Sequence, residues 1–468
     1  MKVLSSPVSA PAYIVFQTGP LQASRYNFHV PPDDSSARGL LLYNSLSGAA
    51  AELDQAETEI FNRFEAGKPP GAMDLLRHLP QIDTLYGNGF LVEAGADEPG
   101  RVMAERLYWR KNRHHVDITL VPTLACNFAC IYCFENRNTR SFSREDRETA
   151  IEFCRKAIEP GARTVLLHWY GGEPTLRVKD IQAIAPAVYA HTEEVGALFH
   201  SEIFTNAWLL DDQMCRTLAQ DCRIRTMQIS LDGPPDIHNG MRRGPDGIGD
   251  YASTMDRLWI ALRYFDIKLR IHCHTDNEHR LPELVDDLQT RGFHQAEQRC
   301  GNYLHLHFSK LYDFTDACKH IREIRLDQHH FGEFQCDMME YAQQRGFRVN
   351  WLPKRVLGKY CNNQREAAWI FVPGGNLYKC YRHDFSQAEG LAGSAADRLI
   401  PLQVTPKVDA TDLSECHECI YLPLCSGTCP ETAWSETRCT HLKGNVERRL
   451  LSLHARGPER ESLFPDSE

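Results

Sequence analysis

Between residues 115 and 310, short apolar runs rich in β-branched and aromatic residues alternate with segments whose apolar positions recur at helical spacing. The runs predict strands at 117–124 (DITLVPTL), 164–170 (TVLLHWY), 199–205 (FHSEIFT), 226–231 (TMQISL), 267–274 (IKLRIHCH) and 303–309 (YLHLHF). Helices fill the intervals. The first is opened by a capping-box signature at Ser143 and Asp146 and runs on through Ile151, Cys154 and Ile158. Repeated β-α units imply a parallel sheet with right-handed crossovers. Six units are too few for a closed eight-stranded barrel but suit an open one, a partial (β/α)6 TIM-like barrel of the α/β class, whose chemistry belongs at the C-terminal ends of its strands. Along the last two strands His272, His274, His305 and His307 alternate, so each pair shares a face, as pocket candidates or as satisfied core and rim histidines.

The flanks have a different texture. Residues 1–114 show short strands around YIVFQ and GLLLYNSLSG, a helix near Ala51 to Phe64 and an apolar close at LYGNGFLVEAG, which together read as a small α+β module. Residues 341–450 lack regular periodicity and are rich in Cys, Gly and Pro, so metal more than core is expected to hold them. Residues 451–468 read as a polar, frayed tail.

Composition narrows the function. With 468 residues, 42% hydrophobic and 10% aromatic, the chain can bury a large core in more than one domain. Its formal charge of −10 is spread without long like-charge runs, which argues against nucleic-acid or membrane-surface partners and for small molecules or a peptide. No secretory signal and no apolar run of about 18 residues occurs, so a cytoplasmic location is expected. In that reducing compartment clustered thiols, among 17 cysteines in all, point to metal rather than disulfides.

Cys126, Cys130 and Cys133 stand within eight residues of TLACNFACIYCFE, directly after the first strand of the barrel. Three thiolates leave one iron of a [4Fe-4S] cluster open to substrate or cofactor, and the competing reading is a zinc site completed by a distant residue. The spacing Cys-x3-Cys-x2-Cys, with Tyr132 before the third cysteine, resembles the signature of the radical S-adenosylmethionine (SAM) enzymes. HWYGGEPT at 168–175, FTNAW at 204–208 and QISLDGPPDIHNGMR at 228–242 resemble the motifs of that family's second, third and fourth strands, in the same order. The resemblance spans about 115–310, and TNA replaces the commoner TNG, leaving the turn at Ala207 less free. It implies that SAM chelates the open iron and that an electron from the cluster cleaves it to methionine and a 5'-deoxyadenosyl radical. It also implies SAM contacts from Tyr132, Gly171, Gly172, Glu173, Thr205, Asn206, Ser230, Asp232 and Arg242, with Glu173 accepting from the SAM ammonium and Arg242 near its carboxylate.

A second constellation comprises Cys361, the Gly375-x4-Cys380 unit, Cys416-x2-Cys419-x5-Cys425-x3-Cys429, and Cys439. It resembles the SPASM domain, the C-terminal extension of radical SAM enzymes that act on peptides; zinc is the alternative. By that resemblance Cys416, Cys419, Cys425 and Cys439 hold one auxiliary [4Fe-4S] cluster and Cys361, Cys380 and Cys429 the other, for three clusters per chain with 115–340 as core and 341–450 as SPASM domain. An eighth cysteine found in some members is missing before Cys361, and Cys336 is the nearest upstream thiol. Cys154, Cys215, Cys222, Cys273, Cys300 and Cys318 are expected to fill core.

Three functions follow. The first is a maturase that crosslinks a ribosomally made precursor peptide, fed by a flavodoxin- or ferredoxin-type electron donor; YNSLSGAAAELDQAETEIF and GNGFLVEAG loosely resemble the PqqD-like element that binds leader peptides by strand addition. The second is an anaerobic sulfatase-maturating enzyme making formylglycine, in whose family an aspartate follows the cysteine matched by Cys380, where this chain has Tyr381. The third is a non-enzymatic iron-sulfur electron carrier.

Overall fold

The computed structural model describes residues 2–5, 20–31, 39–135, 138–244, 247, 249–313, 315–353, 361–381, 385, 390–391, 414–425, 439 and 441–455. Its strands are β1 (Lys2–Ser5), β2 (Leu21–Ala23), β3 (Asn27–Val30), β4 (Leu40–Asn44), β5 (Ala50–Leu53), β6 (Leu91–Glu93), β7 (His115–Thr123), β8 (Thr164–Gly171), β9 (Leu198–Thr205), β10 (Thr226–Ser230), β11 (Asp266–Cys273), β12 (Leu304–Lys310), β13 (Ala368–Val372), β14 (Asn376–Tyr378) and β15 (Gly390–Leu391). β7 to β12 lie side by side in chain order and pair in parallel, the open partial barrel expected from the β-α alternation.

Alternation along these strands separates two faces. Val165, Leu167, Ile203, Ile229, Leu269 and Leu306 are buried in one core beneath the helices, so their neighbours in sequence line the inside of the barrel. The helix Arg144–Ala157 begins at the anticipated capping box, with Ser143 Oγ accepting from Asp146 N at 3.0 Å and Asp146 Oδ2 accepting from Ser143 N at 2.8 Å. It buries Ala150, Phe153, Cys154 and Ala157 against the sheet.

The sheet does not stop at residue 340. β13 (AWIFV) pairs in parallel with β7, Ala368 opposite Asp117 and Phe371 opposite Leu120, and carries β14 and β15 beyond it. Trp369 and Phe371 pack on Phe153 from the helical side, while Ile370 and Val372 join Val121 and Tyr378 on the other. The segment expected to depend on metal therefore contributes a fully buried strand to the main sheet. Periodicity missed it because a strand covered on both faces shows no alternation.

At the N-terminus the anticipated helix starts late. Ala50–Leu53 is a strand, and the helix Gln55–Glu65 begins only at the Asp54 cap, where Asp54 Oδ1 accepts from Glu57 N at 2.9 Å and Glu57 Oε2 accepts from Asp54 N at 3.0 Å. Strand order is β1-β5-β4-β3. One face of this sheet buries Leu40, Leu42, Phe61 and Phe90 in a core of its own, and the other sends Phe28, Val30, Leu41 and Tyr43 into the main core. The anticipated strand at YIVFQ lies outside the described residues. The helix Asn445–Ala455 runs past the 450/451 boundary, buries Val446, Leu450 and Leu453, and packs on the helix Gln328–Gln344 as well as on β3 and β4. Among the described residues no helix is long and apolar enough to cross a membrane.

Because β13 covers the edge of β7, a chain ending at residue 340 is expected to aggregate on expression, as judged by size-exclusion chromatography. In the full chain Phe371→Ala should cost about 3–5 kcal/mol in a denaturant titration.

Candidate active site

The three cysteines occupy the loop that leaves the C-terminal end of β7, and backbone contacts hold that loop from two sides. On one side Ala129 N donates to Arg243 O at 2.7 Å and Ile131 N to Met241 O at 3.0 Å. On the other, the end of β8 lies directly against its base: Gly172 N donates to Thr123 O at 3.1 Å and Glu173 N to Ala125 O at 2.9 Å. A Cβ at Gly171 would stand 2.3 Å from Thr123 O, and one at Gly172 would stand 2.3 Å from Ala125 O. Both positions need glycine so that two backbones can meet, and Gly171 also has φ of 125°.

Glu173 is buried, and its carboxylate ties three segments together. Oε1 accepts from Thr175 N at 3.0 Å, Thr175 Oγ1 at 2.6 Å and Thr205 Oγ1 at 2.7 Å, and Oε2 accepts from Asn206 N at 2.7 Å. Burial raises its pKa, and these donors oppose the rise. Asn206 then reaches the cysteine loop, its Nδ2 donating to Asn127 Oδ1 at 2.8 Å. The backbone that turns away from Glu173 passes through Ala207 at φ 65°, the strained conformation that a glycine would adopt freely.

Asp232, fully buried just beyond β10, organises the opposite wall. Its Oδ2 accepts from Tyr132 Oη at 2.6 Å and its Oδ1 from His272 Nδ1 at 2.7 Å, while Arg242 Nη1 donates to the same tyrosine hydroxyl. Burial alone would raise this carboxyl, but His272, Arg242 and His238 around it hold it well below the usual carboxylate range. Asn277 Nδ2 donates to Asp232 O and to His272 O, each at 2.7 Å. Tyr132, Asp232 and Arg242, expected as separate SAM contacts, are thus brought together as partners of one another. Ser230 sits partly exposed at the end of β10. His272 had a signal in its strand alternation; Asn277, Asn127 and the buried His238 had none.

The donor set at the loop fits a [4Fe-4S] group. Cys126, Cys130 and Cys133 form no disulfide; Cys126 is exposed at the loop surface, while burial, reinforced by Glu135 and Cys130, pushes the half-buried Cys133 up to about 11. Thiols so disposed become thiolates only beside a strong positive charge, which bound iron provides. Among the described residues no three His, Cys, Asp or Glu side chains stand close enough together to hold a single metal ion.

Of the second cysteine set, Cys416 and Cys419 pack with Tyr26, Leu46 and Leu422 against the N-terminal module. There Ser45 Oγ donates to Ile420 O at 3.0 Å and Arg25 pairs with Glu418. Cys425 closes the short helix Leu422–Cys425, Cys380 follows β14 half-buried, Cys361 and Cys439 are exposed, and Cys429 lies outside the described residues. Cys336 is buried in the helix Gln328–Gln344 facing Asn445 O, an ordinary packing position. Cys154, Cys215, Cys222, Cys273 and Cys318 are buried in the core, with Cys300 half-buried at its margin.

Residues 120–288 match the family model of the Radical SAM superfamily. This chain carries a radical SAM domain, and it is an enzyme that uses SAM. When bound, the [4Fe-4S] cluster supplies the electron that cleaves SAM reductively. The serine-type anaerobic sulfatase-maturating enzyme of Klebsiella aerogenes is 22% identical over 337 residues, covering 65% of this chain and 77% of that protein. Mycofactocin maturase MftC of Mycolicibacterium smegmatis is 28% identical over 170 residues, 36% of this chain and 40% of that protein. The solved structure of native anSMEcpe with bound AdoMet and Kp18Cys peptide superposes with a TM-score of 0.56 at 18% identity over 73% of this chain and 99% of that one, a likeness of fold.

Replacing Cys126, Cys130 and Cys133 together by Ala should remove one cluster's worth of iron and abolish 5'-deoxyadenosine formation, read by iron analysis and chromatography after anaerobic reconstitution. Glu173→Gln places amide hydrogens against the donors of Thr175, Thr205 and Asn206; iron content should be unchanged, while SAM affinity falls about tenfold or more in a titration.

Proposed function

We propose that this enzyme modifies a ribosomally made precursor peptide, abstracting one hydrogen from a residue and forming an intramolecular thioether or carbon-carbon crosslink, with three [4Fe-4S] clusters per chain and an external flavodoxin- or ferredoxin-type donor. The radical SAM domain and relatives named as maturases support the general reading. The observation that carries the finer one is Tyr381. It follows Cys380, faces the barrel with its hydroxyl on Thr119 Oγ1 and its ring 4.9 Å from that of Tyr170. A phenol held in that way supplies no base of the kind the sulfatase-maturating reaction needs at that position. Removal of a second electron and proton from the peptide then leaves a crosslink rather than an aldehyde, and the auxiliary clusters are the electron acceptors the chain offers.

The formylglycine reading retains one specific support besides the named relatives. Glu135, two residues beyond Cys133, is pushed up to about 7 by burial and hydrogen-bonds to Tyr170, so a carboxyl does stand beside Tyr381's neighbour. The two reactions leave different products. With the cognate precursor peptide as substrate, the crosslinking reading expects a net loss of two hydrogens, suppressed fragmentation between the joined residues, and deuterium passing from the attacked carbon to 5'-deoxyadenosine. An aldehyde trapped by a hydrazide would replace it by formylglycine formation, and solvent deuterium uptake at unchanged mass in ordinary water would replace it by epimerisation.

A further inference from the structure

The inner face of the barrel gathers carboxylates on one side and basic groups on the other; against the effect of burial, Lys268 stands near enough to Glu202 to help His168 hold that carboxyl below its usual range. On the β7–β9 side Asp117 and Glu202 flank His168 at 3.3 and 3.2 Å, and Asp117 is also paired with Arg365 at 3.3 Å, so these carboxylates already have cations beside them. On the β11–β12 side the residues opposite the core are basic: Lys268 is registered with His305, and Arg270 with His307. Arg270 has one hydrogen bond, from Nη2 to Ser309 Oγ at 3.2 Å. Its Nε is buried without a partner, and among the described residues no carboxylate pairs with its guanidinium. His307 is held as a neutral imidazole, its pKa pushed down by burial and by Lys268, Arg270, His305 and His272 around it. A half-buried guanidinium with no carboxylate beside it is costly to keep unless an anion completes it from its open side.

We propose that Arg270, with His307 beside it, binds a carboxylate of the peptide substrate; this rests on the peptide reading above. Depth in the barrel separates this carboxylate from that of SAM. Tyr132 of the cysteine loop meets His272 ring to ring at 4.8 Å, and Arg270 lies two residues, about 7 Å, farther down the same strand. SAM, held at the loop, occupies the strand ends, while a chain entering the barrel passes Arg270. A carboxylate would pair with the guanidinium through its Nη groups, the buried Nε being closed to it, and His307 can donate a further hydrogen bond.

The test is affinity selection on the reconstituted, SAM-loaded full-length enzyme. The probe is a pool of N-acetylated hexapeptides in matched pairs, Glu against Gln, Asp against Asn, and free C-terminal acid against amide. The wild-type enzyme should retain the acid of a pair about tenfold over its amide, and the favoured pair tells a side-chain carboxylate from a terminal one. Arg270→Gln should erase the preference and Arg270→Lys should keep part of it, with SAM affinity and melting temperature unchanged in both. Equal retention of acids and amides by the wild-type enzyme overturns the site but leaves the peptide reading standing. Retention of no peptide at all overturns both. A preference that survives in Arg270→Gln, or a fall in its SAM affinity, assigns the carboxylate site elsewhere.

Discussion

A carboxylate with no exposed surface, that of Asp232, sets where the cysteine loop lies relative to the barrel. Burying such a charge is unfavourable unless its oxygens are hydrogen-bonded and a cation stands near, and here Tyr132, His272 and Arg242 meet both conditions. Each of the three comes from a different part of the chain: the loop between Cys130 and Cys133, the end of β11, and the segment after β10. The carboxylate therefore acts as a joint. Removing any one partner leaves a desolvated charge incompletely satisfied, which is why the loop has one position and not several. Glu173 does the same from the other side, so two buried acids bracket the cysteines.

Much of this was legible in sequence, for reasons that differ by element. The six barrel strands announced themselves because each has one face on the helices and one on the interior, and alternation survives in Thr164–Gly171 and Asp266–Cys273. The capping box at Ser143 was legible because its chemistry is local. β13 was not, because a strand buried on both faces carries no period, and neither was the strand Ala50–Leu53, whose small residues read as helix formers. At the site, motif order marked Glu173, Thr205, Asn206, Asp232 and Arg242. What no motif showed was that these groups bond chiefly to each other, since hydrogen-bond partners such as Asn277 to Asp232 O are set by tertiary contact alone.

The same distinction applies to the cysteine-rich segment. Its spacing suggested a domain standing on bound metal, yet the chain distributes it: β13 and β14 extend the barrel sheet, and the Cys416–Cys425 stretch docks on the N-terminal module through Tyr26, Leu46 and Tyr421. Tyr421 packs edge-on against Phe28 at 5.2 Å, and Phe28 belongs to the main core.

That wiring bears on how a substrate chain could be held. Interior positions in β7–β12 are mostly polar, with Leu166 and the aromatic group of Tyr170 and Phe204 among the exceptions, where a closed barrel would pack aliphatic layers, because an open barrel leaves its inner face to water or to a ligand. On such a surface charge and hydrogen bonding at fixed positions add to whatever the aromatic group of Tyr170, Phe204 and Tyr381 contributes to selectivity. Fixed positions need rigid walls. The parallel sheet supplies them, with β7 clamped between β8 and β13 and the polar face backed by a continuous apolar core. The strand ends can then carry strained or crowded features, the Ala207 turn and the Gly171–Gly172 contact among them, without loss of the fold. Rigidity below and crowding above are two consequences of one packing arrangement.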